Sequence, residues 1–255
     1  MSKIIKYVLL DILKSKIIIG YTLFLLLLSL GLFYLGGSPE KGILSLLNLV
    51  LLTVPLISIV FATTHFYNSY EFMELLVAQP ITRQKIFLSE FLGVAFSLSA
   101  AFVVGVGIPV LVSGAGLTGL FLVLTGLFIT FIFVALAFLA CVLTRDKAKG
   151  IGFALLLWFF FALLYDGLVL LILYSFSDYP LEYPALAMTA LNPIDLGRIM
   201  VLLNLDVSAL MGYTGALYKN ILGSSWGISL SFGLLMLWIV LPLLSAKRIF
   251  SRRDV

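Results

Sequence analysis

Long runs of apolar residues, separated by short polar stretches, dominate the pattern along this chain. Each run is close to the roughly 20 residues that a helix needs to cross about 30 Å of hydrocarbon. The pattern therefore predicts six membrane-spanning helices, which we place at residues 17–35, 44–66, 91–112, 117–144, 151–175 and 225–244. Several of these runs exceed the minimum length, so we expect tilted spans.

The second and third runs are joined by a polar segment, residues 67–90, with the sequence YNSYEFMELLVAQPITRQKIFLSE. Four of its residues recur at steps of three and four, namely Phe72, Leu75, Leu76 and Gln79. This spacing is typical of a short amphipathic helix lying flat at the membrane surface. We expect Pro80 to end that helix, because a proline pushes the residue before it out of the helical region, and Thr82 to cap a second helix. The 67–90 segment is therefore predicted to be helix, elbow, helix.

The first 16 residues, MSKIIKYVLLDILKSK, carry one apolar helical face made of Ile4, Ile5, Val8, Leu9, Ile12 and Leu13. Lysines on the other faces are available to anionic lipid headgroups. Asp11 and the later lysines interrupt the apolar part, and no small-residue cleavage site follows, so we do not expect a signal peptide. We predict an interfacial elbow helix over residues 1–16 that leads into the first span.

Lysines and arginines are distributed unevenly between the two sides of the predicted membrane domain. Three lie in connections on one side, namely Lys41, Arg198 and Lys219, and the other 13 lie on the opposite side, in residues 1–16, 67–90, 145–149 and 247–253. An even number of spans puts both termini on one side, and positive residues favour the cytoplasm. We therefore expect both termini and the 67–90 segment to be cytoplasmic.

The connection over residues 176–222 is much longer than the other two on the outer side. It contains a helical apolar pattern at Ile199, Leu202, Leu203 and Leu205. A loop of this length inside a compact protein is usually functional. We predict short helices that form a cap or docking surface on the outer face.

The composition agrees with this picture, because 62% of the residues are hydrophobic and 11% are charged, far from the values of soluble domains. We expect a single all-α transmembrane domain over residues 1–255, with its energy source on another subunit or in an ion gradient. The basic residues behind the net charge of +4 flank the spans and orient the chain, which argues against nucleic acid as a partner.

The sequence contains few residues suited to catalysis, metal binding or phosphate binding. His65 is the one histidine, which we expect in interfacial hydrogen bonding, and Cys141 is the one cysteine, which we expect to be a small buried side chain. The phosphate-binding pattern GxxxxGK[ST] does not occur. We therefore predict no catalytic residue, no metal site and no cofactor in this chain.

Asp166 stands well inside the fifth apolar run, in ALLYDGLVLL. A charge at the centre of a membrane helix costs roughly 2.5–3.5 kcal/mol, so such a residue invites a functional hypothesis. Its position in the run places it past the midplane, where water or Lys219 is able to reach it. Two interpretations stay open, a structural pairing or hydration role and a transported-ion site.

The six-span layout, the amino-terminal interfacial helix and the string EFMELLVAQPITR at residues 71–83 resemble the ABC-2 type permeases of ABC transporters. In that family the corresponding segment, typically E(x)xxELLLxxPxSR, is the coupling helix received by the ATPase subunit. The resemblance implies the ABC-2, or type V, permease fold and a separate cytoplasmic ATPase that holds ATP and Mg²⁺. Glu74, Leu75, Leu76, Pro80 and Arg83 match this pattern, with Thr82 in place of the usual serine. We assign the contact with the ATPase to these five residues together with Glu71, Phe72 and Gln79.

Two stretches of the long outer connection, LNPIDLGRIMVLL at residues 191–203 and ALMGYTGA at 209–216, resemble the NosY-type branch of these permeases. There an Asn-Pro-x-Asp-x-x-Arg run belongs to the outer region beside a periplasmic partner, and here it is Asn192, Pro193, Asp195 and Arg198. The resemblance implies a homodimer in a bacterial inner membrane, with NosF-like ATPases and a periplasmic NosD-like β-helical protein. Its implied role is maturation of the copper sites of nitrous oxide reductase.

Two other function classes stay open from the sequence. One is an ABC-2 exporter of a lipid, drug or ion, which shares the coupling helix. The other is a stand-alone ion-coupled carrier or membrane enzyme with Asp166 as its working residue.

Overall fold

The computed structural model describes residues 2–144, 146–177, 179, 182–205 and 225–252, and no strand occurs among them. The helices of this part are, in chain order, α1 (Ser2–Leu13), α2 (Lys16–Gly36), α3 (Pro39–Asn68), α4 (Tyr70–Val77), α5 (Arg83–Val112), α6 (Gly116–Leu143), α7 (Lys147–Ser175), α8 (Glu182–Ala190), α9 (Pro193–Leu202) and α10 (Ser225–Arg252).

Six of the described helices, α2, α3, α5, α6, α7 and α10, are long and apolar enough to cross a membrane. They confirm the six predicted spans and the all-α fold class. The helices extend beyond several apolar runs because polar residues at the ends also adopt helical geometry. In α3, for example, Ser38 takes the N-cap position, where its hydroxyl accepts from the Lys41 N–H, and Pro39 fills the first turn.

The central helix of the bundle is α6, with 72% of its most apolar stretch buried. Its Phe138 ring lies 5.2 Å from the ring of Phe66 in α3, and 5.5 Å and 5.7 Å from those of Phe87 and Phe91 in α5, all in edge-on geometry. Each such pair contributes about 0.5–1.5 kcal/mol beyond the burial of its area. The ends of α3 and α5 that flank the 67–90 segment are therefore held by one shared aromatic cluster.

Helix α7 lies at the periphery, with 6% of its most apolar stretch buried within the chain. Leu156, Leu163 and Leu170 are among its exposed leucines. A helix that is apolar on nearly all sides and packs little within its own chain must face lipid or another chain. This surface is therefore available for association between subunits.

The elbow helix α1 packs across α5, where Val8 and Ile12 are buried. The contact is so close that a β-carbon on Gly93 of α5 would lie 2.5 Å from the Cγ1 of Val8. The hydroxyl of Ser97 in α5 also donates to the carbonyl of Leu9 at 3.4 Å. The predicted elbow helix is present, and its buried face rests on the protein.

A second close crossing joins α2 to α5 at a π-helical turn, Val103–Gly107. A β-carbon on Gly105 would lie 2.6 Å from the Cβ of Leu25 and 3.1 Å from the carbonyl oxygen of Thr22, both in α2. Small residues at membrane helix crossings allow the backbones to approach in this way. Gly105 therefore sets the distance between these two spans.

Replacing Gly105 by alanine should lower the melting temperature of the detergent-solubilised chain, because the added methyl group forces α2 away at a cost of roughly 1–3 kcal/mol. Gly31 of α2 is the matched control, since a β-carbon there meets nothing within 4 Å. Gly31→Ala should leave the melting temperature unchanged or raise it. Equal melting temperatures for the two variants in a thermal unfolding assay would contradict the close-crossing interpretation.

Candidate functional site

The 67–90 segment forms a short helix, an elbow and the start of a long helix, as predicted. Helix α4 ends at Val77, earlier than the predicted end at Pro80, because the N–H groups of Ala78 and Gln79 close its last turn on the carbonyls of Glu74 and Leu76, both at 3.2 Å. Thr82 takes the N-cap position of α5, but its side chain makes no capping hydrogen bond.

The outward face of α4 differs from the one predicted. Leu75 is 69% exposed, whereas Leu76 is 8% exposed and packs into the core together with Met73. This placement corrects the expectation that Leu76 belongs to the docking area, since its side chain is turned toward the bundle. The three-residue step from Met73 to Leu76 sets the buried stripe, and the sequence alone did not show which of the overlapping apolar stripes would be buried.

Phe72 of α4 is half-buried and stacks on Tyr7 of α1, with ring centroids 5.7 Å apart and planes 30° apart. The elbow helix and α4 are therefore in direct contact. The predicted contact residues that remain exposed are Glu71, Glu74, Leu75, Gln79 and Pro80, while Arg83 is partly buried. They make an exposed acidic patch that includes one large apolar side chain, Leu75.

The two long helices on either side of α4 are joined by a polar contact that the sequence did not reveal. The Nε2 atom of His65, in the last turns of α3, lies 3.3 Å from the Oε2 atom of Glu90 in α5. The same nitrogen lies 3.2 Å from the hydroxyl of Ser69, the residue between α3 and α4. Glu90 is 1% exposed. The available signal was that both side chains border the same polar segment.

On the other side of the bundle, Asn192 begins α9 and is fully buried. Its side-chain oxygen accepts from the Ile194 N–H at 3.0 Å, which caps the helix. Its amide nitrogen donates to the carbonyl of Phe161 in α7 at 3.0 Å and to the carboxylate of Asp195 at 2.9 Å. One asparagine thus starts α9 and attaches it to α7.

Arg198 completes this cluster. Its Nη1 atom lies 3.2 Å from Asp166 in α7 and 3.2 Å from Asp195 in α9. In the described part of the chain Asp166 thus has a structural ion pair, and Lys219, the partner considered from the sequence, lies outside the described residues. We call Asn192, Asp195, Arg198 and Asp166 the outer clasp.

The outer clasp corrects the expectation that the whole Asn-Pro-x-Asp-x-x-Arg run is an outward docking surface. Asn192 and Pro193 are buried inside the protein, where their contacts are with this chain. Helices α8 and α9 meet at a bend of 110°, so that α9 turns into the bundle. A β-carbon on Gly197 of α9 would lie 2.6 Å from the Cγ2 of Thr125 in α6. The predicted short helices are present, and α9 forms part of the core.

One residue of the outer clasp, Asp195, has an unusual pKa, and it lies outside the six spans. Burial and the neighbouring Asp166 carboxylate raise the pKa of Asp195 from 3.8 to about 6, while the Arg198 guanidinium acts in the opposite direction. Two carboxylates share one guanidinium here, so Asp195 binds a proton more readily than an ordinary aspartate does.

Within the described ranges, no three His, Cys, Asp or Glu side chains are placed to hold a metal ion. Cys141 is buried, with its sulfur 3.9 Å from the carbonyl of Thr63. The polar clusters seen here bind helices to each other, and their chemistry is that of hydrogen bonds and ion pairs.

Comparison with known proteins gives the same class as the fold and the 67–90 segment. The model of the ABC-2 family transporter proteins matches residues 48–255. The chain therefore belongs to the ABC-2 family, which confirms the resemblance noted in the sequence, and it is a multi-pass permease subunit of an ABC transporter.

Two relatives are similar over nearly their whole length. The probable ABC transporter permease protein NosY of Pseudomonas aeruginosa is 30% identical over 268 residues, covering 96% of this chain and 95% of the relative. The protein of the same name from Stutzerimonas stutzeri is 28% identical over 267 residues, covering 95% of each.

Replacing Arg198 by methionine should lower the melting temperature, because the two carboxylates of the outer clasp then lose their shared charge partner, at a cost of roughly 1–3 kcal/mol. The triple variant Asp166→Asn, Asp195→Asn and Arg198→Met removes all three charges and should recover most of the loss. A triple variant no more stable than Arg198→Met would contradict the ion-pair assignment.

Stability should also depend on pH through Asp195. With its raised pKa, the folded chain keeps a proton that the unfolded chain releases between pH 3.8 and about 6, so the stability from this proton falls as the pH rises through that window. The melting temperature of the unaltered chain should therefore fall relative to that of Asp195→Asn between about pH 4 and about pH 7. If the melting temperatures of the unaltered chain and of Asp195→Asn changed in parallel with pH, the raised pKa of Asp195 would be ruled out.

Proposed function

We propose that this permease is driven by ATP hydrolysis on a separate cytoplasmic subunit, which docks on α4. The observation that carries the proposal is the exposed patch of α4, where the apolar side chain of Leu75 is exposed on the same short helix as the acidic side chains of Glu71 and Glu74. An exposed apolar side chain within a polar rim is the usual composition of a protein contact. The resemblance of residues 71–83 to the coupling segment of ABC-2 permeases supports the same assignment.

The connections of α4 support a mechanical role. One residue, Ser69, separates α3 from α4, and five residues, 78–82, separate α4 from α5. Connections this short do not absorb a large displacement of α4, so the displacement is passed to the two spans. ATP binding would close the ATPase subunits, draw α4 with them and tilt α3 and α5 toward the outer side. ATP and Mg²⁺ would be held by the ATPase. The difference between the ATPase's affinities for the permease before and after the tilt would set how far the equilibrium between these two states shifts.

The membrane orientation and the oligomeric state complete the proposal. The excess of lysine and arginine beside both termini and in the 67–90 segment supports a cytoplasmic location for these parts in a bacterial inner membrane. The nearly unburied helix α7 supports a homodimer, in which a second copy covers part of that surface.

The NosY-like relatives support a more specific assignment. By the sequence resemblance, the partners would be NosF-like ATPases and a periplasmic NosD-like β-helical protein, and the task would be copper-site maturation of nitrous oxide reductase. Docking of the periplasmic protein would fall to exposed parts of the outer region, with the partly exposed Asp195 and Arg198 available to it and Asn192 and Pro193 buried.

A second candidate function, export of an amphiphilic molecule, is favoured by one observation. A groove of about 690 Å³ opens between α2 and α3 and is lined mainly by apolar side chains, among them Ile17, Tyr21, Phe24, Ile57 and Val60. Stimulation of the ATPase by phospholipid in the absence of any periplasmic protein would favour this candidate.

The variant Leu75→Arg should abolish co-purification of the ATPase subunit, because it places a charge at the centre of the contact, while the permease remains inserted. Glu74→Arg should have the same effect by reversing the rim charge. Ala148→Arg is the matched control, since it adds an identical charge at an exposed position in the first turn of α7, outside α4. Undiminished co-purification of the ATPase with Leu75→Arg would refute the docking assignment.

A further inference from the structure

Residues 65–69, which are the last four residues of α3 and the following Ser69, form a polar junction with three other helices. The hydroxyl of Tyr67 lies 2.7 Å from that of Thr144 at the end of α6. The ammonium group of Lys147 in α7 donates to the side chain of Asn68 at 2.8 Å. With the contact between His65 and Glu90, this end of α3 is tied to α5, α6 and α7. The junction lies directly before α4.

Of these three ties, the one between His65 and Glu90 joins the two spans that continue into α4. Ser69 extends it, because its hydroxyl lies 3.2 Å from the same His65 nitrogen. The chain of contacts from Ser69 to His65 to Glu90 therefore runs from the start of α4, through α3, to α5. A hydrogen bond is directional, so it fixes the relative position of two helices where apolar contacts allow them to slide.

Stability alone does not account for Glu90. Its side chain is 2% exposed, and two buried phenylalanines stand close to it in the same helix, Phe87 about one turn before and Phe91 directly after. One of its oxygens, Oε1, has no hydrogen-bond partner in the part of the chain that the structure describes. Burying a carboxylate is costly, and apolar residues that replace a buried ion pair are often at least as stabilising. A carboxylate in this place therefore suggests a role in position or motion.

We propose that His65 and Glu90 are positioning residues that hold α3 and α5 together at the base of α4, so that a displacement of α4 moves both spans as one unit. The inference rests on the proposed function, since it concerns how the force applied by an ATPase is transmitted. Without the tie, the movement of α4 is taken up by sliding between α3 and α5, and the bound ATPase hydrolyses ATP at nearly the rate it has without the permease.

The test uses the permease assembled with its ATPase subunit in lipid nanodiscs and measures kcat and KM for ATP against the ATPase alone. Glu90→Ala should reduce the permease-dependent change in kcat by about tenfold, with the KM for ATP and the amount of bound ATPase unchanged. Glu90→Gln keeps an acceptor for His65 and should retain the change in kcat. Ser89→Ala is the matched control, because the Ser89 hydroxyl bonds the Lys85 carbonyl of its own helix at 2.7 Å.

Unchanged coupling in Glu90→Ala overturns the inference and leaves the proposed function intact. Equal losses in Glu90→Ala and Ser89→Ala also overturn it, since they indicate a general packing defect. If Glu90→Ala does not fold, His65→Ala, at a more exposed side chain, takes its place with His65→Gln as the conservative variant. If the unaltered permease binds no ATPase, the proposed function fails first, and the inference fails with it.

Discussion

The structure depends on the requirement that polar groups in hydrocarbon find partners inside the protein. The helices satisfy their own backbones, which is why apolar runs become spans. The polar side chains then have to be grouped, since each one left alone is costly. The chain has two such groups, the junction at residues 65–69 beside the aromatic cluster around Phe138 and the outer clasp around Arg198.

These two groups serve different parts of the same bundle. The junction joins α3 to α5, α6 and α7 next to the helix that faces the proposed ATPase, and the outer clasp joins α9 to α7. The central helix α6 contacts both regions, through Thr144 at one end and Thr125 further along. A permease that passes movement through the membrane needs stiff connections near both ends of its helices. Helix α6 links the junction at residues 65–69 with the region of the outer clasp.

The sequence was sufficient for features with a local signal. Span lengths and the elbow near Pro80 follow from runs of apolar residues and from the geometry of proline, and both are present in the structure. The pairs His65 with Glu90 and Asp166 with Arg198 are 25 and 32 residues apart, and no local rule brings such residues together. The motif from Asn192 to Arg198 was likewise visible in the sequence, but the sequence did not show that it faces the interior of the bundle. That orientation comes from the bend between α8 and α9.

The single residue between α3 and α4 makes the length of that connection critical. Each residue advances a helix by roughly 100°, so inserting or deleting one residue at Ser69 would rotate α4 by more than a quarter turn. Leu75 would then leave the outward face, and the buried position of Leu76 would pass to a neighbour. The geometry of this connection therefore tolerates substitution at Ser69 better than a change in length, whereas the five-residue elbow after α4 has more freedom to change in length.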